Sequence, residues 1–286
     1  MPPLALGLVL VAAFTHASWN LLAKQAAASR HFVWLYSAGT VVVWAPVIVA
    51  VMILLRPDLG PQVVVALVVS AVLHTLYAMS LQRAYQVADL SVVYPLARGT
   101  GPFLAFFGAI VFLGERPRPL ASGGAMLVAA GVLLLAGGGK IFARGADRAG
   151  LFWGVLTGAL IASYSVWDGR SVRVLGVSPL LMDYAGNLLR LGMLSPRAWA
   201  DRRGVVEEAG RWWRPALGVA ILGPLGYTLV LYAMQLAPVS HVAPARELSM
   251  MIGAWYGARV LDERDSGRRL GATAMIVLGV AALAFG

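Results

Sequence analysis

Two arginines that follow prolines inside apolar stretches are the residues of this sequence best suited to bind a charged solute. Arg98 ends the segment Ser91-Val-Val-Tyr-Pro-Leu-Ala-Arg98, and Arg246 ends Ser240-His-Val-Ala-Pro-Ala-Arg246. A guanidinium binds a carboxylate or phosphonate through paired hydrogen bonds, and a charge inside a membrane span is costly enough to indicate a function. The alternative is that each arginine only anchors its helix at the membrane interface.

Other polar residues recur at helical spacing within apolar stretches. His74 and Tyr77 share a helix face, as do Tyr164 and Asp168. Burial of such groups in a membrane requires a reason, either hydrogen bonding between helices or the lining of a solute path. The further candidate binding residues are Trp19, Asn20, His74, Tyr77, Tyr94, Tyr164, Trp167, Asp168, Asp183, Arg190 and Glu247.

Glu247 is the one acidic residue adjacent to either arginine. In a regular α-helix, neighbouring residues point about 100° apart, so we expect Glu247 not to pair with Arg246 on the same face. The carboxylate is then free to pair with Arg98 or Arg190.

The elements that position these residues are arranged as an internal duplication. Arg98, Glu115 and Arg116 match Arg246, Glu263 and Arg264 at a spacing of 148 residues, and the same spacing joins Trp19 to Trp167 and Asn20 to Asp168. Ser91 and Pro95 match Ser240 and Pro244 at a spacing of 149, which one deleted residue explains. We predict a first repeat at 1–137, a linker at 138–149 and a second repeat at 150–286.

The composition identifies the environment of the chain. Hydrophobic residues make up 59% of it, charged residues only 13%, and the mean hydropathy is +0.76. Such values predict a polytopic membrane protein, and the net charge of +10 belongs to short connections between spans, so nucleic acid is not an expected partner. The chain has no cysteine, which excludes disulfides and thiolate metal sites. We expect no metal and no cofactor.

Apolar runs predict an all-α protein with ten transmembrane helices. Because each repeat holds five spans, an odd number, the second repeat must be inverted relative to the first, as in many secondary transporters. A polar loop is expected between spans 7 and 8, at 195–214. The ten predicted spans are 3–22, 32–55, 62–85, 91–113, 120–136, 150–174, 179–194, 215–236, 241–261 and 270–285.

Ten spans place both termini on the same side of the membrane, but the side is open. The loops on the side opposite the termini hold far more Lys and Arg than the others, which by the positive-inside rule favours termini outside. Labelling of a single cysteine introduced at Gly145 distinguishes the two orientations, since the chain has no other cysteine.

His16-Ala-Ser-Trp-Asn20-Leu-Leu-Ala-Lys24, the proline-containing starts of spans 4 and 9, and Gly114-Glu115-Arg116 resemble the drug/metabolite transporter superfamily, EamA type. The resemblance covers the whole chain. It implies ten helices around a central cavity, export or exchange of small metabolites, and termini inside. Asp262 stands where the first copy has Gly114, so the second turn departs from the pattern. We expect a multi-pass protein of a bacterial inner (plasma) membrane, either a monomer or a homodimer.

The mixture of arginines and carboxylates favours a small zwitterionic or anionic solute, such as an amino acid or aminophosphonate. A multidrug exporter of lipophilic cations is the alternative, because aromatic residues accompany the carboxylates. Titratable groups such as Asp168 and His74 make proton coupling a possible mode of energisation. The chain lacks zinc-protease, serine-hydrolase and phosphate-loop motifs, so an enzyme is not expected, and a pore or sensor is a third possibility.

Overall fold

The computed structural model describes residues 1–26, 29–87, 90–135, 148–252 and 266–286. Within these residues every regular element is an α-helix, which confirms the all-α prediction. The helices are α1 Pro3–Gln25, α2 Phe32–Leu54, α3 Pro61–Val87, α4 Leu90–Leu113, α5 Pro119–Leu135, α6 Arg148–Val174, α7 Pro179–Ala200, α8 Arg202–Leu236, α9 Val239–Ala245 and α10 Ser266–Phe285. The predicted linker lies almost entirely outside the described residues.

Six of these helices, α1 to α4, α6 and α8, are long and apolar enough to cross a membrane. Helices α5 and α10 are apolar but have shorter apolar stretches. Large hydrophobic side chains such as Leu4, Val111 and Phe285 are exposed on the outside of the bundle, as a lipid-facing surface requires.

The two halves of the chain exchange equivalent contacts. Helix α1 packs along α8 and α6 packs along α3, while α2 contacts α8 and α7 contacts α3. The counterpart of each helix is the helix five further along the chain. Exchanging counterparts turns the α1–α8 contact into the α6–α3 contact and the α2–α8 contact into the α7–α3 contact. The packing therefore has the two-fold pattern expected of a duplicated chain. The inverted orientation of the repeats stays a prediction. The Met1 amino group donates to the carbonyl of Ala284 at 2.5 Å, so α1 begins beside the end of α10.

Glycines let α5 and α10 cross in close contact. A Cβ added to Gly124 would lie 2.6 Å from the carbonyl oxygen of Gly279, and one added to Gly279 would lie 2.7 Å from that of Gly124. Gly131 packs equally closely on α10. Gly123 and Gly271 do not take part in this crossing, because a Cβ added to either would meet no heavy atom within 4 Å.

The polar segment at 195–214 is not the predicted loop. Helix α7 continues to Ala200 and α8 begins at Arg202, so only Asp201 separates them. The Asp201 carboxylate caps α8 by accepting from the amide of Gly204 at 3.1 Å. Helix α8 has 35 residues and is about 52 Å long at 1.5 Å per residue, so it extends beyond the hydrocarbon core, where its charged residues are solvated. The polar residues of this segment therefore indicate helix ends outside the hydrocarbon core, not an irregular loop.

The connection between α1 and α2 is bound to this charged end of α8. The Glu208 carboxylate accepts hydrogen bonds from the Ser29 hydroxyl and from the amides of Arg30 and His31, the amides at 3.1 and 2.9 Å. The His31 ring lies 2.9 Å from the carboxylate of Asp201. The first and second halves of the chain are therefore linked at this end of the bundle.

Pro224 interrupts α8 without leaving its backbone unsatisfied. A proline has no amide to donate to the carbonyl four residues earlier, here that of Ala220. The side chains of Trp44 and Thr40 donate to this carbonyl at 3.0 and 3.3 Å. Helix α2 thus supplies the bonds that the proline removes, and α8 stays helical next to the interior polar residues.

The Gly114-Glu115-Arg116 turn holds the beginning of α9. The Glu115 carboxylate accepts from the amides of Val239 and Ser240 at 2.8 and 2.9 Å, two groups that lack partners within their own helix. Gly114 has φ of +66°, a conformation that glycine adopts without strain. The matching turn Asp262-Glu263-Arg264 lies outside the described residues.

Candidate functional site

Three helices bring a histidine, an aspartate and a tyrosine together in the interior. Nε2 of His74 (α3) lies 2.9 Å from Oδ2 of Asp168 (α6), and the Tyr227 hydroxyl (α8) donates to the same oxygen at 2.5 Å. His74 Nε2 is also 3.2 Å from the Tyr227 hydroxyl. Asp168 is fully buried. Its Oδ2 is therefore shared by two partners.

Tyrosine rings extend this group along the interior. Tyr164, one turn before Asp168 on α6, stacks on His74 with ring centres 4.1 Å apart, and Tyr77 meets Tyr164 edge-on at 5.5 Å. On α6, Tyr164 and Asp168 are four residues apart, so both side chains face the same neighbours. The predicted helix faces of spans 3 and 6 are thus brought into contact.

The second half of the site is a buried ion cluster. Nη2 of Arg98 (α4) lies 3.1 Å from Oε2 of Glu247 and donates to the Ser249 hydroxyl at 2.9 Å. Arg246 Nε lies 3.7 Å from Oε1 of Glu247, within ion-pair distance but longer than a hydrogen bond. The three charged residues are all buried. Pairing of Glu247 with Arg98 is as predicted.

The contact of Glu247 with Arg246 corrects the expectation that these neighbours cannot pair. Helix α9 ends at Ala245, and Arg246 and Glu247 form a turn before helical residues resume at Leu248. The amides of Glu247, Ser249 and Met250 bond to carbonyls three residues earlier. The 100° rule for a regular helix does not apply to such a tightened turn. Both long side chains therefore reach a common point.

The ion cluster and the histidine group meet at one tyrosine. The guanidinium carbon of Arg246 lies 5.9 Å from the ring centre of Tyr164, within cation–π range, and His74 stacks on the same ring. The arrangement is one continuous site with positive charge on one side of Tyr164 and a carboxylate on the other.

Several buried polar atoms of this site have no hydrogen-bond partner among the described residues. Nε of Arg246 and the carboxylate oxygens of Glu247 still form ion pairs, whereas Oδ1 of Asp168 and Nη2 of Arg246 form neither kind of contact there. An unsatisfied polar atom of a buried charged group costs free energy unless a ligand or water supplies its partner. The site therefore offers one acceptor and one donor to a bound molecule.

Residues 148–285 match the EamA-like transporter family. The second half of the chain belongs to this family. Together with the apolar spans, the family makes the protein a multi-pass membrane transporter of small solutes. A solved crystal structure shares the fold with a TM-score of 0.76 at 18% identity, covering 98% of this chain and 97% of the other. No curated protein sequence matches the chain.

Other predicted site residues of the transporter form a separate polar group on α7. The Asn187 amide donates to Oδ2 of Asp183 at 3.0 Å. Arg190 Nη1 contacts Oδ1 of Asn187 at 3.4 Å and the Tyr36 hydroxyl on α2 at 3.3 Å. Asp183, Asn187 and Arg190 share one face of α7, and among the described residues their side-chain hydrogen bonds run along α7 and to α2.

The remaining predicted site residues lie elsewhere. Trp19 donates to the ring of His16 at 3.2 Å and Asn20 donates to the His16 carbonyl at 2.8 Å, both within α1. Trp167 donates to the carbonyl of Ala66 on α3 at 3.0 Å, a bond between helices. The Tyr94 side chain lies outside the described part of the chain. The structure does not bring the tryptophan pair to the ion cluster.

Tyr227 and Ser249 belong to the site but were not predicted from sequence. Ser249 has no distinguishing pattern, whereas Tyr227 follows Gly223-Pro224, a break signal three residues earlier in an apolar span. Such breaks mark solute sites in transporters, so Pro224 was the available signal. Within the described residues, no group of three or more His, Cys, Asp or Glu side chains is arranged to hold a metal ion.

Proposed function

We propose that this transporter carries a small zwitterionic metabolite, an amino acid or an aminophosphonate. The acid group binds Arg246, and the ammonium group faces Asp168. Two buried atoms at the two ends of the site carry the proposal, Nη2 of Arg246 and Oδ1 of Asp168, because neither has a hydrogen bond or an ion pair among the described residues.

Charge balance supports an acid group at Arg246. Among the described residues, the ion-pair partner of Arg246 is Glu247, which also pairs with Arg98, so Arg246 does not have a carboxylate of its own there. An uncompensated buried charge costs several kcal/mol, and a carboxylate or phosphonate removes that cost while matching the guanidinium fork. Among the donors of Arg246, Nη2 is free for this role in the described part of the site.

The opposite end of the site suits an ammonium group. Oδ2 of Asp168 is occupied by His74 and Tyr227, which leaves Oδ1 as the acceptor. The ring of Tyr164 lies between Arg246 and His74, and an aromatic face attracts a cation. A molecule that carries both charges provides a partner for Arg246 and for Oδ1 of Asp168 at once. A simple anion provides a partner for Arg246 only.

The second candidate is export of lipophilic cations. The specific observation that favours it is the set of tyrosine rings at positions 77, 164 and 227 near a buried carboxylate. Two arginines in the same site argue against it, because a cationic substrate would meet like charge. The two substrates therefore give opposite expectations for the role of Arg246.

We infer that the protein acts as an exporter or exchanger in the inner (plasma) membrane of a bacterium. The His74, Asp168 and Tyr227 group supports proton coupling, since all three side chains can exchange protons and they contact one another. Transport by reconstituted protein should respond to an imposed pH gradient. Indifference to gradients of both directions contradicts proton coupling and leaves exchange.

Counterflow in proteoliposomes tests the substrate class. Preloaded amino acids or aminophosphonates should drive uptake of the labelled compound, whereas quaternary ammonium compounds should not. Asp168→Asn should reduce zwitterion transport at least about tenfold, the equivalent of one lost charge-assisted bond, and affect simple carboxylates or phosphonates less. Glu207→Gln, the same type of change at an exposed position of α8, is the control. Counterflow by quaternary ammonium compounds alone overturns the proposal.

A further inference from the structure

A cavity lies apart from the buried site. It has a volume of about 440 Å³ and is formed where the ends of α4 and α6 meet the beginning of α9. Glu115, Arg116, Gly169, Arg170, Arg173 and His241 are among its lining residues. The volume is within the range of pockets that enclose small solutes. We call this cavity the vestibule.

The charge of the vestibule is strongly unbalanced. Three guanidinium groups line it, against the single carboxylate of Glu115. That carboxylate already caps α9 through the amides of Val239 and Ser240, and Nη1 of Arg173 lies 3.5 Å from it. Among the described residues, Arg116 and Arg170 form none of the ion pairs found. Two cations of the vestibule are therefore available to a ligand.

The vestibule lies next to the buried site along α6. Gly169 lines the vestibule and directly follows Asp168, whose carboxylate is bonded to His74 and Tyr227. Gly169 also lets α9 approach α6, because an added Cβ would lie 2.4 Å from Cγ2 of Val239.

We propose that the vestibule is a binding site for an oxyanion, namely a carboxylate, phosphonate or phosphate group. Arg116 and Arg170 supply the charge and the paired donors that such a group needs. A concave site lined mainly by one sign of charge also raises the local concentration of the opposite ion. The vestibule is distinct from the Arg246 cluster and binds an oxyanion whatever the transported substrate is.

Two sources of the oxyanion share this chemistry. A solute in water can place its acid group in the vestibule on its way to or from the buried site. The phosphate of an anionic lipid can do so from the membrane, since exposed arginines at helix ends lie at headgroup depth. The experiment separates the two sources by changing lipid and solute independently.

The test uses the purified full chain in neutral maltoside detergent, titrated with inorganic phosphate at constant ionic strength while thermal unfolding is followed. A ligand that binds the native state raises the melting temperature by an amount that grows with the logarithm of 1 + L/Kd, where L is the free ligand concentration, so the dependence on phosphate concentration gives the apparent affinity. The double variant Arg116→Gln with Arg170→Gln should weaken the apparent affinity for phosphate by about tenfold or more, the equivalent of losing one charge-assisted bond. The matched control is Arg118→Gln, since Arg118 is also exposed on the same connection but does not line the vestibule.

A third variant separates the vestibule from the buried site. Arg246→Gln should retain the phosphate response, because Arg246 does not line the vestibule. The inference is overturned if Arg246→Gln loses the phosphate response while the double variant retains it. It is also overturned if the double variant and Arg118→Gln respond equally to phosphate. Failure of zwitterion counterflow leaves this result untouched.

Nanodiscs identify the source. In discs of phosphatidylcholine alone, a phosphate response that depends on Arg116 and Arg170 assigns the site to soluble oxyanions. In discs that also contain phosphatidylglycerol, stabilisation that depends on the same arginines and removes the phosphate response assigns it to lipid headgroups. Both results support an oxyanion site, and stabilisation by neither ligand overturns it.

Discussion

The two copies of the repeat place the same proline and arginine in different structures. In the first copy, Arg98 lies within the continuous helix α4. In the second copy, α9 ends at Ala245 and Arg246 lies in a tight turn. Duplication supplied two cations in register, and only the second acquired a broken helix. The break lets Arg246 reach both Tyr164 and Glu247.

The residue after each arginine explains much of the difference. The first copy has Gly99, where an added Cβ would lie 2.7 Å from Cδ2 of Leu133 on α5. The second copy has Glu247, whose carboxylate contacts both arginines. A glycine maintains helix packing in one copy, and a carboxylate builds the ion cluster in the other.

A second matched pair of residues, Asn20 and Asp168, shows the same kind of difference between the two copies. Asn20 in the first copy bonds to a carbonyl of its own helix, while its counterpart Asp168 bonds to His74 and Tyr227 on two other helices. The acidic groups of the site thus come from the second copy. Matched positions of the two copies therefore contribute different chemical groups to the site.

Removing the carboxylate of Glu247 should have the largest effect on stability. Glu247→Gln removes the carboxylate that both buried guanidinium groups contact, and breaking a buried pair costs about 3–5 kcal/mol. Denaturant titration of the purified variant measures the loss. Glu207→Gln, at an exposed position, should change stability by no more than about 0.5 kcal/mol. Equal stability of the two variants would mean that the ion cluster does not hold the helices together.

Exchanging each arginine for lysine tests whether the two copies differ in function. Arg246→Lys keeps the charge but loses the donor fork, so the KM of the zwitterion should rise by about 10- to 100-fold. Arg98→Lys should weaken transport substantially and Arg98→Ala should weaken it more, since Arg98 contacts Glu247 and Ser249.

Transport kinetics of the three variants decide the matter. A larger rise in KM for Arg246→Lys than for Arg98→Lys supports direct binding by Arg246 and a positioning role for Arg98. Normal rates and affinities in both Arg98 variants would assign Arg98 to anchoring alone.

The cap that Glu115 provides should have a smaller effect. Glu115→Gln removes the charge of the carboxylate that accepts hydrogen bonds from two amides at the start of α9. Loss of a helix cap costs about 1 kcal/mol. The melting temperature of the purified protein measures this loss. Because α9 leads directly into Arg246, transport should fall as well. A variant with normal stability and reduced transport would instead indicate a direct role of Glu115 in the solute path.

The smallest effect is expected at the opposite end of the bundle, where the His31 side chain bonds to Asp201. This hydrogen bond holds the pKa of the Asp201 carboxyl below its usual range. A lowered pKa means that the contribution to stability is present at neutral pH and is lost as the pH falls through the folded-state pKa, which lies below the usual value of an aspartate. The difference in melting temperature between wild type and Asp201→Asn should therefore shrink on acidification. A difference that grows in acid contradicts this assignment.

The sequence alone determined the membrane environment, the duplication and most helices. These follow from composition and period, which are local properties: apolar runs long enough to span a bilayer, and matched residues such as Trp19 and Trp167. The prediction of a loop at 195–214 was wrong because a polar segment of a membrane protein can be a helix that extends beyond the hydrocarbon core as well as a loop.

Only the tertiary structure decided which polar residues meet. Helical periodicity assigns a residue to a face of its own helix, but it does not say which helices face each other. The candidates Trp167 and Asp168 therefore could not be separated from the sequence, although their side chains form hydrogen bonds with different residues, Ala66 and Tyr227. Tyr227 and Ser249 join the site through contacts between distant parts of the chain. The pairing of Glu247 with both arginines required the turn after α9, because a side chain's direction depends on the backbone hydrogen bonds around it.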